Sequence, residues 1–425
     1  MYDVIVLGAG AAGLMAAHEF ALAGKNVCIL EARERIGGRI LTINDSNFST
    51  PVEGGAEFVH GDLKLTMSLL KKAEIEYFEV AGSTWQKHND KLQRQEDFIE
   101  DFSEISKFLE QLQRDVSVKT FIEEYLQGEE FEESRFTIKN YVEGYYAADI
   151  SKASTFSLRE ELSNSGDPQY RIEGGYNKLI DFLHSEISSR GVEVLLQHAV
   201  DKISWRKNAV EVYAGDKKFT SKKVLVTVPI GVLQSEFIGF SPEIPFIKEA
   251  LRVLGYGAVI KIVFEFDEPF WKDKKNTSGN NLSDVQFIFS GEKIPTWWTQ
   301  HPKKSAVLTG WLGGPNAQHL SGLTDGELVD TALTTLAHIF NVTTDFLKQM
   351  LVTKAVFNWQ KDEFSRGAYS YDVVHGDRAK NILSAGVENT IFFAGEGLHQ
   401  GVEIGTVEAA LANGKDTAQR LIATL

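Results

Sequence analysis

At 425 residues the chain is too long for one compact core and suits two domains. Apolar residues at 43% and charged residues at 24% describe a globular protein. The net charge of −15 argues against nucleic acid and anionic membrane surfaces as partners, and mildly favours cationic substrates, an attraction that salt screens. Cys28 is the one cysteine, so no intramolecular disulfide or multi-cysteine metal site can form; no metal is expected. No run reaches the roughly twenty apolar residues that span a bilayer, and no targeting signal stands out, so a cytoplasmic location is the expectation.

The chain opens on a short apolar run, Val4-Ile5-Val6-Leu7, followed at once by Gly8-Ala9-Gly10-Ala11-Ala12-Gly13. An alanine-rich helix runs to about Ala23, Gly24 stops it, and Val27-Cys28-Ile29-Leu30 ends at Glu31. A GxGxxG between strand and helix, with an acid about twenty residues on, is a dinucleotide-binding fingerprint. Gly8 permits the tight turn, Gly10 lets backbone approach a pyrophosphate, and Gly13 lets helix and strand pack closely. The helix N-terminus offers N–H groups to the anion, and Glu31 is placed for a ribose hydroxyl, which disfavours a 2′-phosphate.

Glu31-Ala32-Arg33-Glu34-Arg35-Ile36-Gly37-Gly38-Arg39 extends this fingerprint with three arginines, whose forks suit phosphate, and a glycine pair that admits a flat ring. The run resembles the FAD signature of the flavin amine oxidase superfamily, which includes monoamine, polyamine and L-amino-acid oxidases. The resemblance implies that Ala12, Ala32, Arg33, Gly38 and Arg39 lie beside FAD, with Arg39 near the phosphates.

Val52-Glu53-Gly54-Gly55-Ala56-Glu57-Phe58-Val59-His60-Gly61 resembles the polyamine-oxidase form of the loop that passes the flavin. Gly55, Ala56, Glu57 and Phe58 would touch the cofactor, and His60 would meet the substrate amine. A carboxylate at Glu57 could also attract an ammonium group, although relatives are not usually acidic there. Residues 62–165 read as largely helical: Phe98, Ile99, Phe102, Ile105, Leu109 and Leu112 recur at helical spacing, with further helices at 117–126 and about 131–148. Gly166-Asp167-Pro168 breaks the pattern.

Arg171-Ile172-Glu173-Gly174-Gly175 leads into a helix, and strands are expected at 192–196, 210–213 and 224–228. Val200 falls where the family contacts adenine through its backbone. Period-two alternation then marks 259–266, 285–289 and 306–312, with an exposed loop at 272–283 between them. Alternation puts Lys261 on one face with Val259, Val263 and Glu265, and Ile260, Ile262, Phe264 and Phe266 on the other. This strand resembles the family's lysine strand, which makes Lys261 the catalytic candidate, holding a water close to the flavin N5.

Helices are expected at 325–339 and 344–351. In 358–369, Trp359 would pack beside the flavin and Tyr369 would form one wall of an aromatic sandwich around the amine, with Val402 or a neighbour opposite. Ala368 stands where monoamine oxidases carry a cysteine bonded to the flavin, so noncovalent FAD is expected. The last strand ends at Gly395-Glu396, whose acid would bind the ribityl chain, and Gly405-Thr406-Val407 would open a helix toward the pyrimidine side of the ring.

The resemblance implies an α/β fold, a Rossmann-type FAD-binding domain (1–60, 170–235 and 385–425) interleaved with an α+β substrate domain of mixed sheet plus helices (61–169 and 236–384). The function it implies is FAD-dependent oxidation of a small-molecule amine by O2, giving H2O2, with polyamines favoured. Monoamine or L-amino-acid oxidation, or a flavin-binding interaction protein without turnover, are the alternatives.

Overall fold

The computed structural model describes residues 1–88, 91–95, 102–163, 168–273, 277 and 279–425. The fingerprint folds as strand Tyr2–Leu7, helix Ala11–Leu22 and strand Val27–Leu30. Both strands lie in an eight-stranded sheet ordered Glu193–Leu195, Val27–Leu30, Tyr2–Leu7, Lys217–Val226, Ala209–Ala214, Lys202–Arg206, Gly239–Ser241, with Ile391–Phe393 also paired to Lys217–Val226. Pairing is parallel through its centre, where Val4 faces Val27 and Leu7 faces both Leu30 and Val226.

Parallel strands covered on both faces read as unbroken apolar runs, which is why Val4 to Leu7 shows no alternation. Val4, Val6 and Ile29 pack under helices Ala11–Leu22, Asn177–Ser188 and Val407–Ile422. Ile5, Leu7, Cys28 and Leu30 face the opposite core, which is closed by Ile247, Leu251 and Leu383. Helices Pro245–Val253 and Gly376–Ala385, grouped from sequence with the second domain, therefore complete the second face of this sheet. Their apolar stripes have a hydrophobic sheet face to cover.

The second sheet has seven strands in the order Leu351–Asn358, Val259–Phe266, Val307–Gly313, Thr296–Thr299, Val285–Ser290, Ser83–His88, Lys91–Gln95. All eight residues of Val259–Phe266 are buried. Ile260, Ile262, Phe264 and Phe266 enter the core beneath helix Asp325–Phe340, while Val259 and Val263 face the other way.

The region 62–165 departs from its largely helical reading. Tyr77–Glu79, Ser83–His88 and Lys91–Gln95 are strands, and Ser83–His88 extends the second sheet by parallel pairing to Val285–Ser290. Helices follow at Phe102–Gln111, Val118–Tyr125, Glu132–Asn140 and Thr155–Ser163, the second capped by Ser117. The helix expected over 131–148 gives way after Asn140 to a π turn at Tyr141–Tyr145, a local widening common at functional sites. Phe98, Ile99, Gly166 and Asp167 lie outside the described residues, as do 274–276 and 278 of the expected loop.

The first glycine turn is fixed by steric limits. Gly8 sits at φ +104°, and a Cβ on Gly13 would lie 2.0 Å from the Gly8 carbonyl oxygen. Gly13→Ala forces strand and helix apart, at about 1–3 kcal/mol for overpacking. It is expected to lower the thermal unfolding midpoint by several degrees, measured by calorimetry. Gly322→Ala, where nothing lies within 4 Å, should leave the midpoint unchanged.

Candidate active site

A single cavity of about 1890 Å³ runs from the glycine turn to the second sheet. Small-molecule sites occupy about 300–1,000 Å³, so this one has room for a dinucleotide and a second molecule. It opens where ligands bind in parallel α/β sheets, beyond the carboxyl ends of the strands.

The cradle end is lined by Gly8, Gly10, Ala12, Glu31, Ala32, Arg33, Gly38, Arg39 and Val200. Gly13 stands behind the wall as a packing residue. Gly10 is the N-cap of Ala11–Leu22 and supplies no side-chain cap, so the first turn presents backbone donors to the cavity. Gly37 and Gly38 at φ +97° and +60° bring a second stretch of backbone against Gly10. A glycine cradle with an uncapped helix end is the donor set a pyrophosphate needs, and the residues fit FAD on that ground.

Glu31 is buried, and its oxygens accept hydrogen bonds from the Ala9 and Arg33 amides at 2.7 and 2.9 Å. Arg33 forks onto Asp362 at 2.7 and 2.5 Å and donates to Ser365, which places it as a brace between the cradle and 358–369. Arg39 donates to Glu396 at 2.7 Å and to the Ala368 carbonyl at 2.6 Å, linking the two flavin-signature segments from opposite ends of the chain. Gly395 and Glu396 line the wall, as do Gly405, Thr406 and Val407. Thr406 caps helix Val407–Ile422 by accepting from the Ala409 amide, after Gly405 turns at φ +82°.

Lys261 lies on the cavity wall, on the strand next to one edge of the second sheet, 1% exposed. Its ammonium donates to Glu57 Oε2 at 2.7 Å and to the Gly55 carbonyl at 3.2 Å. Glu57 Oε1 accepts from Arg171 at 2.9 Å and from the Trp298 indole at 3.0 Å. Burial opposes ionisation of Glu57, but the charges of Lys261 and Arg171 outweigh it and hold the carboxyl below its usual range. Both oxygens are thus engaged by the protein's own donors. The cations that Glu57 engages in the structure are Lys261 and Arg171.

Gly55, Ala56 and Phe58 line the cavity beside this cluster, and the Trp359 indole donates to the Gly54 carbonyl at 2.9 Å. His60 also lines it, with Nδ1 3.4 Å from the Tyr145 hydroxyl. Burial pushes its imidazole down to about 4, so the ring is neutral at physiological pH.

Tyr369 donates to the Tyr145 carbonyl at 2.5 Å, and its ring stacks on Trp311 with centroids 6.3 Å apart and planes 18° apart. The aromatic neighbour of Tyr369 is therefore Trp311, while Val402 sits at the cavity edge, 37% exposed. Trp311 pairs directly with Lys261 across adjacent strands, so the register that aims the lysine also aims the indole.

Sequence reasoning missed Arg171, Trp298, Trp311 and Tyr145. An arginine at a buried position of the short strand Gln169–Ile172, directly before Ile172, is one such residue. A signal was available in the Trp297-Trp298 pair, in which strand alternation must send one indole to the core and the other to the cavity.

A family model for flavin containing amine oxidoreductases matches residues 11–127 and 84–422. Polyamine oxidase 4 of Oryza sativa subsp. japonica is 26% identical over 459 residues, covering 99% of this chain and 89% of that protein. Lysine-specific histone demethylase 1 homolog 3 of Arabidopsis thaliana is also 26% identical and covers 99% of this chain, which spans only 30% of that larger protein. Among solved structures, putrescine oxidase bound to putrescine superposes with a TM-score of 0.81 at 21% identity, over 99% of each chain. The chain belongs to the family of flavin-containing amine oxidoreductases.

Proposed function

We propose that this protein is an FAD-dependent oxidase of polyamines. The observation that carries the reading is one cavity in which the dinucleotide cradle leads past a buried lysine to a carboxylate-lined mouth. Exposed Glu129, Glu130, Glu132 and Glu133 line that mouth, and half-buried Glu143, Glu161 and Glu403 lie further along the wall. Burial holds the Glu161 carboxyl above its usual range, as does the nearby Glu403 charge, despite the neighbouring Tyr146 hydroxyl. A carboxylate held in that condition is relieved by an incoming ammonium. A molecule with several ammonium groups spaced along an alkyl chain suits such a wall better than a single amine does. The polyamine oxidases among its relatives support the same substrate class.

Bound FAD would supply the redox chemistry, accepting the two electrons and two protons that a neutral amine loses in becoming an imine and passing them to O2 to give H2O2. The chain's own residues bind and orient. The neutral His60 imidazole accepts a hydrogen bond from the substrate amine, and the Tyr369–Trp311 wall guides its alkyl chain. Lys261 has two donors directed at Gly55 and Glu57, and its third reaches the cavity, where it holds the water that converts the imine to a carbonyl. Ala368 offers no nucleophile to the ring, so FAD is held noncovalently. Trp359 and Glu396 act in that reading as cofactor contacts. The proposed setting is the cytoplasm, with no nucleic acid or membrane partner: Cys28 is buried and its thiol pushed up to about 11, chemically quiet in any case.

Hydrogen peroxide release is expected to be at least tenfold faster per kcat/KM with spermidine or putrescine than with benzylamine or leucine. Benzylamine in the lead would overturn the polyamine assignment.

Oxidation needs the neutral amine, so kcat/KM should rise from pH 6 to pH 9 as the substrate loses its proton. His60 stays neutral throughout that window, because its lowered value lies near 4. His60→Ala should therefore raise KM about tenfold without changing the shape of the profile. A flat wild-type profile, or a profile reshaped in the variant, would count against these roles.

A further inference from the structure

We propose that Glu57 is a positioning residue that keeps the Lys261 side chain charged and aimed into the cavity by sharing one carboxylate between Lys261 and Arg171. This rests on the catalytic reading of Lys261 above.

The geometry leaves the carboxylate little freedom. Oε2 faces Lys261, while Oε1 accepts from both Arg171 and the Trp298 indole. Rotating the group would break all three contacts. Arg171 is itself fixed: it donates to the Thr299 carbonyl at 3.0 Å, and its guanidinium lies 4.7 Å over the Phe58 ring. The Lys261 ammonium lies 5.3 Å from the centre of the Trp298 ring, which adds a second attraction for a cation.

Charge counting makes the role specific. Two cations and one anion are buried together at Lys261, Arg171 and Glu57. Among the described residues, Glu53 on the adjoining strand Val52–Glu53 is a further titratable side chain that faces this group. Burial pushes its carboxyl up to about 7, so near neutral pH it is only partly ionised. Glu57 is thus the dependable countercharge. Without it two buried cations face each other, and the lysine, unlike the arginine, relieves the repulsion by losing its proton. A purely structural cluster could be replaced by apolar packing at little cost in stability. Here, however, both Lys261 and Glu57 line the cavity.

The test compares wild type, E57Q, E57D and W298F as holoenzymes. It reads the visible flavin spectrum against pH, and the reoxidation rate of substrate-reduced enzyme by O2 in a stopped flow. Wild type should show no Lys261-dependent spectral transition between pH 6 and 9; any change that follows Glu53 should persist in K261M. E57Q should retain FAD and gain a transition in that range, its reoxidation at least tenfold slower at pH 9 than at pH 6. The added transition should vanish in the E57Q/K261M double variant, and E57D should recover the wild-type profile in large part.

A holo E57Q with a flat spectrum and a wild-type reoxidation profile would overturn the proposal. Should E57Q fail to fold, W298F removes only one donor to Oε1 and is expected to show the same transition nearer pH 9 to 10; a flat W298F would overturn it equally. K261M with wild-type turnover would instead bring down the catalytic reading of Lys261. A slow K261M beside an unaltered E57Q would remove only the role of Glu57.

Discussion

The turn at 53–58 receives hydrogen bonds from several separate stretches of chain, and the reactive end of the cavity takes its position from it. Glu53 accepts from the Tyr176 amide at 2.7 Å and from Thr42. The Gly54 amide donates to the Leu41 carbonyl, and its own carbonyl accepts from Trp359. Gly55 accepts from Lys261, and Glu57 binds Lys261, Arg171 and Trp298. A Cβ at Gly55 would lie 1.9 Å from the Arg39 carbonyl oxygen, so the turn also presses on the flavin signature. Charge-assisted bonds contribute about 1.5–3 kcal/mol each, and breaking one side of a buried pair costs about 3–5 kcal/mol. Moving this turn would break several such contacts at once, which is why it can fix a lysine that projects from a different sheet.

The cradle obtains its rigidity by another route. Helix Val407–Ile422 lies so close to helix Ala11–Leu22 that a Cβ on Gly414 would come within 2.3 Å of the Ala12 carbonyl oxygen. Arg39 and Glu396 form an ion pair across the same junction. Glu408 is buried in the first turn of the later helix and accepts from the Leu65 and Thr66 amides at the start of helix Lys64–Lys72. A carboxylate there neutralises two helix N-termini together. Two ends of the sequence thus form one binding surface, and the steric limit at Gly414 sets how far apart its halves can stand.

The parts of this arrangement legible in the sequence are those whose signal is local. The strand–glycine–helix–strand unit announces itself within thirty residues, and Val259–Phe266 separates its two faces by simple alternation. Two partners of Glu57 leave only a faint signal. Arg171 and Trp298 lie 114 and 241 residues away, and a charged residue in one short strand or an indole pair in another does not say what it will meet. The strands at 83–88 and 91–95 were hidden for a related reason. Among the described residues of this edge hairpin, Trp85 and Leu92 are buried amid polar neighbours, which is too sparse a pattern to outweigh the helical periodicity that follows. The sheet that helices Pro245–Val253 and Gly376–Ala385 cover was not legible, because amphipathicity identifies a helix that needs a partner but not which sheet supplies it.

The cavity's two ends differ in charge, and that difference bears on how a polycation would lie within it. Carboxylates dominate the mouth, while Lys261 and Arg171 outnumber the one firmly ionised carboxylate at the base. An ammonium is attracted at the mouth and repelled at the base, so a chain with several nitrogens is drawn in with its innermost one disfavoured as a cation. Like charges shift a neighbouring amine toward its neutral form. The nitrogen nearest the reacting position is thereby the one most readily deprotonated, which is the form that oxidation requires. The distal nitrogens remain charged against glutamates, and their attraction offsets the cost of neutralising the first. A single amine has only one nitrogen to satisfy both ends of the field, and its attraction at the mouth is lost when it reaches the base. On the proposed reading, discrimination between polyamines and monoamines follows from the sign of the field along the cavity, in addition to the shape of the wall around Tyr369 and Trp311.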